Sequence, residues 1–149
     1  MITITRHQDI DCGHRVVGHE GHCQHLHGHT YRIHFTCTAK ELDCVGRIID
    51  FGIIKAELCE WILANWDHRF IAWDKDKDLR ALSNVENMDK ISDVLQKSIV
   101  WVPFNPTAEN IANYLLRVVG PRLLPPEVTL IKVRVEETQK CSAEVILGD

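Results

Sequence analysis

Nine histidines occur in this chain of 149 residues, and six of them fall between His14 and His29. The last two, in His27-Gly28-His29, run straight into residues 30 to 38, where Tyr31, Ile33, Phe35 and Cys37 recur at every second position. That period is the signature of a half-buried strand. On extended backbone, residues two apart project to the same side, so both imidazoles leave one face of the strand. Residues 2 to 10 alternate more loosely and read as a strand antiparallel to it, with His14 at its end. Once the two strands pair, three imidazoles can converge. Three histidines with an open fourth position is the pattern of a catalytic zinc site, whereas a structural site closes all four positions. Taken singly, His19, His22 or His34 reads as a surface or hydrogen-bonded histidine. The glycine-spaced pair reads as ligands.

The remaining pattern supplies a frame for that face. Residues 47 to 51 are expected to form a short further strand that reaches Asp50, the N-cap of a helix carrying Ile54, Leu58, Trp61 and Ile62 on one stripe and ending near Trp66. From His68 to Pro103 the sequence is charged and irregular, with Asp74-Lys75-Asp76-Lys77-Asp78 at its centre. It reads as an elaborated connection holding one short helix over residues 91 to 96. A second helix is opened by Asn105-Pro106-Thr107, buries Ile111, Tyr114, Leu115 and Val118, and is stopped by Gly120-Pro121. Strands over residues 128 to 137 and 143 to 147 close the chain. Strands, two helices, then strands make an α+β domain with an antiparallel sheet. A length of 149 residues suits one such domain, spanning residues 1–149.

Three other features point to chemistry. Cys23 lies four residues before His27 in a polar loop and is the only cysteine beside the histidine cluster. Its sulfur could serve as a ligand, a nucleophile or a general base, and spacing does not decide among these. Cys12, Cys37 and Cys59 fall in patterned segments and read as small core residues. Asp67-His68 follows the first helix where the chain must turn, a weak signal of an acid/base couple on its own. In the strand near the C-terminus, Ile131, Val133 and Val135 point one way and Lys132, Arg134 and Glu136 the other. That parity puts Glu137 on the apolar side. A carboxylate there needs donors, so either the strand ends just before it or Glu137 binds something.

Charge and hydropathy narrow the function classes. Seventeen basic and twenty-one acidic residues are mixed along the chain, with no basic face of the kind nucleic acid requires. No apolar run approaches the roughly 20 residues of a membrane span. Residues 1 to 10 contain neither a signal core nor an Arg-rich presequence, so a cytoplasmic location with six reduced cysteines is expected.

Taken together, these motifs resemble a known family. Gly13-His14-Arg15, Cys23-Gln24-His25-Leu26-His27-Gly28-His29, Ile49-Asp50-Phe51-Gly52-Ile53-Ile54-Lys55, Asp67-His68, Pro106-Thr107-Ala108-Glu109-Asn110 and Glu137-Thr138 occur in the order seen in 6-pyruvoyl- and 6-carboxytetrahydropterin synthases. The likeness covers nearly the whole chain. It implies zinc held by His14, His27 and His29, a catalytic Cys23 with Asp67 and His68 as acid/base partners, Glu137 anchoring a pterin ring, and Thr107 near that ring. It also implies the tunnelling fold: an antiparallel sheet with two helices on one face, pooled between subunits into a barrel, in a homohexamer with active sites between neighbours. The implied substrate is 7,8-dihydroneopterin triphosphate and the implied product 6-carboxy-5,6,7,8-tetrahydropterin, with acetaldehyde and triphosphate, on the route to queuosine. The rival readings are 6-pyruvoyl activity, in which the side chain is retained, and a zinc-binding module without catalysis. Three segments depart from the family pattern: Asp11-Cys12-Gly13, the long stretch 74 to 102, and Cys141-Ser142-Ala143-Glu144-Val145, where a tyrosine is usual.

Overall fold

The computed structural model describes residues 1–83 and 93–148. Its described strands are β1 (Ile4–His14), β2 (His27–Ala39), β3 (Arg69–Trp73), β4 (Ile99–Val102), β5 (Val128–Glu136) and β6 (Ser142–Ile146), joined in one sheet in the order β4-β3-β1-β2-β5-β6. The expected antiparallel pair is present: β1 and β2 run in register from Ile4↔Cys37 to His14↔His27. Tyr31, Ile33, Phe35 and Cys37 are all buried, as their alternation requires.

The sheet as a whole is mixed. β1 pairs with β3 in parallel, and β3 with β4 in parallel, while the other three pairings are antiparallel. The segment read as an elaborated connection thus adds two strands. Phe70-Ile71-Ala72-Trp73, after Arg69, and Ile99-Val100-Trp101-Val102 are short apolar runs without a visible period, and the helix before β3 carries the chain to it from the β1–β2 pair. The strand expected over residues 47 to 51 does not form. There the Asp43 carboxylate accepts from the backbone N–H groups of Val45 and Arg47, and Gly46 takes a positive φ of 87°. Local side-chain bonds to the backbone win over a ladder. The short helix expected over residues 91 to 96 is observed as Asp93–Lys97. The first two residues of the expected range lie outside the described residues.

Both long helices contain a widened turn. The first runs through Phe51–Ile54, the π-segment Lys55–Cys59 and Glu60–Asn65, capped by Asp50, whose side chain accepts from Gly52 N–H, and closed at Trp66 as expected. The second runs through Ala108–Tyr114, the π-segment Leu115–Val119 and Gly120–Leu123. Gly120-Pro121 therefore does not stop it. The π-turn receives Pro121, whose ring and missing N–H would break an ordinary ladder, and the helix ends where Pro125-Pro126 follow. The extra residue also turns the buried stripe, so that Leu116 and Val119 are buried in place of Val118. Gly120 itself is a packing requirement, since a Cβ there would collide with Leu130 Cδ2.

The buried stripes of both helices and the inward side chains of β1, β2 and β5 form one cluster, with Ile54, Leu58, Ile62, Ile111 and Leu115 packed in with Tyr31, Ile33, Phe35, Val133 and Val135. The opposite face of the sheet is polar. Asp9 pairs there with Arg32 at 2.8 Å, His34 with Glu136 at 2.9 Å, and Lys132 with Glu144 at 3.3 Å. No described helix is long and apolar enough to cross a membrane.

Candidate active site

His14, Cys12 and Ile10 stand opposite His27, His29 and Tyr31 in the β1–β2 register, so all six side chains leave the core face of the sheet. The three histidines meet at its end, with one ring nitrogen from each within 4.8 Å of the others. Gly28 makes this possible. A Cβ at that position would lie 2.9 Å from the carbonyl oxygen of Cys12, so only glycine lets the two strands close between the imidazoles.

The ring orientations follow from the backbone. His14 Nδ1 lies 2.7 Å from the carbonyl oxygen of Pro106, and His27 Nδ1 lies 2.6 Å from that of His25. A carbonyl can only accept, so each Nδ1 donates its proton, and the tautomer this fixes leaves Nε2 as the nitrogen that can ligate. Those Nε2 atoms, with that of His29, are buried and without a hydrogen-bond partner in the described protein. Burial, with the neighbouring His27 and His29, lowers the basicity of His14 against the Pro106 bond and Glu137, and burial with His27 lowers that of His29 against the charge of Glu137. Neutral imidazoles with converging, unpaired lone pairs are the donor set a divalent metal takes. The residues fit one.

Glu137 reaches this site, with Oε1 3.3 Å from His29 Nε2. The parity argument for it holds only in part. β5 bulges at Ile131, which the register skips between Thr36↔Lys132 and Cys37↔Leu130, so Ile131 is half-buried and Leu130 takes the inward place. Beyond the bulge, Val133 and Val135 point inward, and Glu137, just past the strand's end, keeps their side. Glu136 faces the other way and is more than a solvated charge, being bound to His34 at 2.9 Å and near Arg134 at 3.6 Å.

Cys23 is half-buried and lines a cavity of about 290 Å³ together with Glu137, Thr107, Glu109, His19 and Cys141. Its loop is pinned by two anchors: Val16 N–H donates to the Cys23 carbonyl at 2.8 Å, and the Asn105 side chain bonds both the N–H and the carbonyl of Val17. Thr107 caps the second helix, accepting from Asn110 N–H at 3.2 Å, while it also lines this cavity.

Asp67 and His68 lie elsewhere. His68 Nδ1 is 2.9 Å from Asp67 Oδ2, and Asp67 Oδ1 accepts from the N–H of Asp11 at 2.9 Å. Burial raises the Asp67 pKa, but the Asp11 N–H and the His68 bond and charge outweigh it and hold the carboxyl below its ordinary range. His68 is three-quarters exposed and adopts a φ of 58°, a conformation costing on the order of 1–3 kcal/mol in a residue with a side chain. It lines a second cavity with Asp11, Gly13, Thr30, Phe70 and Ser98, which the β2 residues His27, Gly28 and His29 also border. That cavity shares no residue with the one at Cys23. Asp11 alternates with Cys12 and His14, so the Asp67-His68 pair sits against the face of the sheet opposite to the imidazole cluster. A single chain brings together His14, His27, His29 and Glu137, with Cys23 and Thr107 on the cavity that Glu137 also lines, and leaves Asp67 and His68 off that cavity.

Tyr31 was legible only as a core residue. It is 1 % exposed, and its ring packs edge-on to His14 and His29 at 5.7 and 5.4 Å between centroids. Its hydroxyl has no described partner. Burial, then Glu137, Cys12 and Cys23, hold that hydroxyl protonated far above the ordinary range.

Known proteins share this chain's sequence pattern and fold. Residues 3–146 match the family model of 6-pyruvoyl tetrahydropterin synthase. A 6-carboxy-5,6,7,8-tetrahydropterin synthase of Rickettsia typhi is 38% identical over 146 residues, covering 97% of this chain and all of the relative, and the enzyme of that name from Haemophilus influenzae is 33% identical over 77% of this chain and 79% of its own. Among solved structures, an uncharacterized protein of Wolinella succinogenes superposes with a TM-score of 0.84 at 28% identity over 98% of both chains. The 6-pyruvoyltetrahydropterin synthase of Plasmodium vivax shares the fold, with a TM-score of 0.72 at 19% identity over 97% of this chain and 96% of its own. A family match from the third residue to the last strand, with relatives of equal length, makes the assignment direct: the chain belongs to the 6-pyruvoyl tetrahydropterin synthase family of pterin-synthesising lyases.

Proposed function

We propose that the chain is a zinc-dependent 6-carboxy-5,6,7,8-tetrahydropterin synthase, converting 7,8-dihydroneopterin triphosphate to 6-carboxy-5,6,7,8-tetrahydropterin, acetaldehyde and triphosphate for cytoplasmic queuosine synthesis. The observation that carries this reading is the convergence of three buried Nε2 atoms, that of His29 3.3 Å from Glu137, next to a cavity lined by Cys23. The full-length likeness to relatives that bear this enzyme's name supports the choice of reaction.

His14, His27 and His29 hold the metal. Zinc supplies Lewis acidity to the side-chain hydroxyls of the substrate. Glu137 accepts hydrogen bonds from the amino and ring N–H groups of the pterin and so fixes which carbon of the side chain faces Cys23. Thr107 borders the same ring. Cys23 takes the proton from the side-chain carbon, and an Asp67-His68 pair returns one. The carboxylate of Asp67 holds Nδ1–H of its histidine, leaving Nε2 to exchange protons. Because Asp67 and His68 face away from Cys23 within one chain, the pair that serves a given Cys23 comes from a second copy. A homohexamer of two trimeric barrels supplies that contact and covers the free edges of β4 and β6.

The product decides the reaction. The zinc-loaded enzyme given 7,8-dihydroneopterin triphosphate should release acetaldehyde in proportion to the 6-carboxy product. Release of triphosphate with a three-carbon side chain still on the pterin would mean 6-pyruvoyl chemistry, and neither product would leave a zinc-binding module.

A further inference from the structure

Six cysteines are free, and their settings divide them. Cys12, Cys37 and Cys59 are buried, and burial pushes the Cys12 and Cys37 thiols up to about 12, which keeps them unreactive. Cys44 is exposed in the turn before the first helix. The remaining two, Cys23 and Cys141, line the same cavity of about 290 Å³.

Strand register explains why Cys141 belongs there. The β5–β6 ladder runs from Lys132↔Ile146 to Glu136↔Ser142, and the next step pairs Glu137 with Cys141, closed by Glu137 N–H donating to the Cys141 carbonyl at 3.0 Å. Paired residues share a face, so the Cys141 side chain follows Glu137 and Ala143 toward the cavity and away from Ser142 and Glu144. Cys141 is exposed and sits at a tight turn, where its N–H bonds back to Thr138. Cys23 is half-buried across the same space. An accessible thiol on a turn, sharing a small cavity with a second thiol, is the arrangement of a resolving cysteine.

We propose that Cys23 and Cys141 form an intramolecular disulfide when the protein meets hydrogen peroxide. In the first step the Cys23 sulfur attacks one peroxide oxygen; the O–O bond breaks, water leaves, and Cys23 becomes a sulfenic acid. In the second step the Cys141 sulfur attacks the Cys23 sulfur; the S–S bond forms, the S–O bond breaks, and a second water carries off the Cys141 proton. Two thiols are oxidised by two electrons, and one peroxide is reduced to two waters. A dithiol reductant reverses the bond by exchange. Without Cys141 the sulfenic acid reacts with a second peroxide, gaining one oxygen and releasing one water, to give a sulfinic acid, which dithiols do not reduce. Bond formation needs only the two thiols. Its consequence, reversible loss of turnover, rests on the reading of Cys23 as the proton acceptor.

The test uses the zinc-loaded full chain. After treatment with equimolar hydrogen peroxide, free thiols are alkylated, and the unreduced protein is digested and analysed by mass spectrometry. The expected result is a peptide pair joining Cys23 to Cys141 with loss of two hydrogen atoms, in protein that runs as a single chain under denaturing conditions without reductant. Dithiothreitol should remove the link and return most of the lost activity. In Cys141→Ser treated with two or more equivalents of peroxide, whatever its starting rate, Cys23 should collect as sulfinic acid, and dithiothreitol should return little. Cys44→Ser should still form the link. The proposal is overturned if wild-type Cys23 is recovered as sulfenic or sulfinic acid without the linked peptide, if its partner is Cys44, or if the link joins two chains. A Cys23–Cys141 link in protein that keeps full turnover would uphold the disulfide and remove Cys23 from the reaction.

Discussion

At the scale of single residues, His14, His27 and His29 meet with converging nitrogens, Glu137 lies against His29, and Cys23 and Thr107 line the adjoining cavity, while Asp67 and His68, marked out in the same sequence, lie off it. What the sequence could not display is the part supplied by peptide groups. Nothing in a residue's type marks the carbonyls of Pro106 and His25 as the acceptors that turn two imidazoles, and Tyr31 reads as one more apolar residue in a strand. Two outcomes test this layer. His27→Ala should take bound zinc from one per chain to near zero, measured by metal analysis after gel filtration, because two imidazoles do not complete a three-ligand site. Undiminished zinc would remove His27 from the ligands. Glu137→Gln should weaken binding of a pterin analogue by about 1.5–3 kcal/mol, the worth of hydrogen bonds to a charged group. Glu136→Gln loses a contact with His34 on the opposite face and should leave that affinity unchanged. Equal losses would show that Glu137 does not distinguish itself as the ring's partner.

Elements were readable where one face is buried and local chemistry agrees with it. The alternation in β2, the Asp50 and Thr107 caps and the close at Trp66 all fall where their residues put them. Strands β3 and β4 were missed because four or five apolar residues carry no period to read, and they join the sheet only through their parallel partners. The bulge at Ile131 and the helix carried past Pro121 are both single-residue insertions into a regular ladder, which shift parity or phase without changing composition. Gly28 is the element-scale feature with the sharpest consequence. Gly28→Ala would force β1 and β2 apart at Cys12, costing about 1–3 kcal/mol by the usual measure of overpacking. A lower denaturation midpoint should therefore accompany weaker zinc retention. Loss of neither would mean that the strands absorb the methyl group.

For the whole molecule, the decisive fact is that the cavity lined by Cys23 and the cavity lined by His68 share no residue. Sequence order hides this, because motifs adjacent in a list can face opposite ways once β3 lies parallel to β1. If neighbours complete each site, then Cys23→Ala and His68→Ala homomers should each lose two or more orders of magnitude in turnover. Dissociated and reassembled together in equal amounts, they should regain activity at about a quarter of the sites, where two intact halves meet. Mixtures as inactive as their parents would place the whole site within one chain. The fold also governs the metal site through the two carbonyls that hold His14 and His27. A carbonyl is present whichever residue occupies position 25 or 106, so no point substitution can delete either acceptor, and only a change in the path of the chain can move it. The tautomer of these histidines is thus inherited from the backbone, and the ligand geometry can outlast wide drift in the side chains around it.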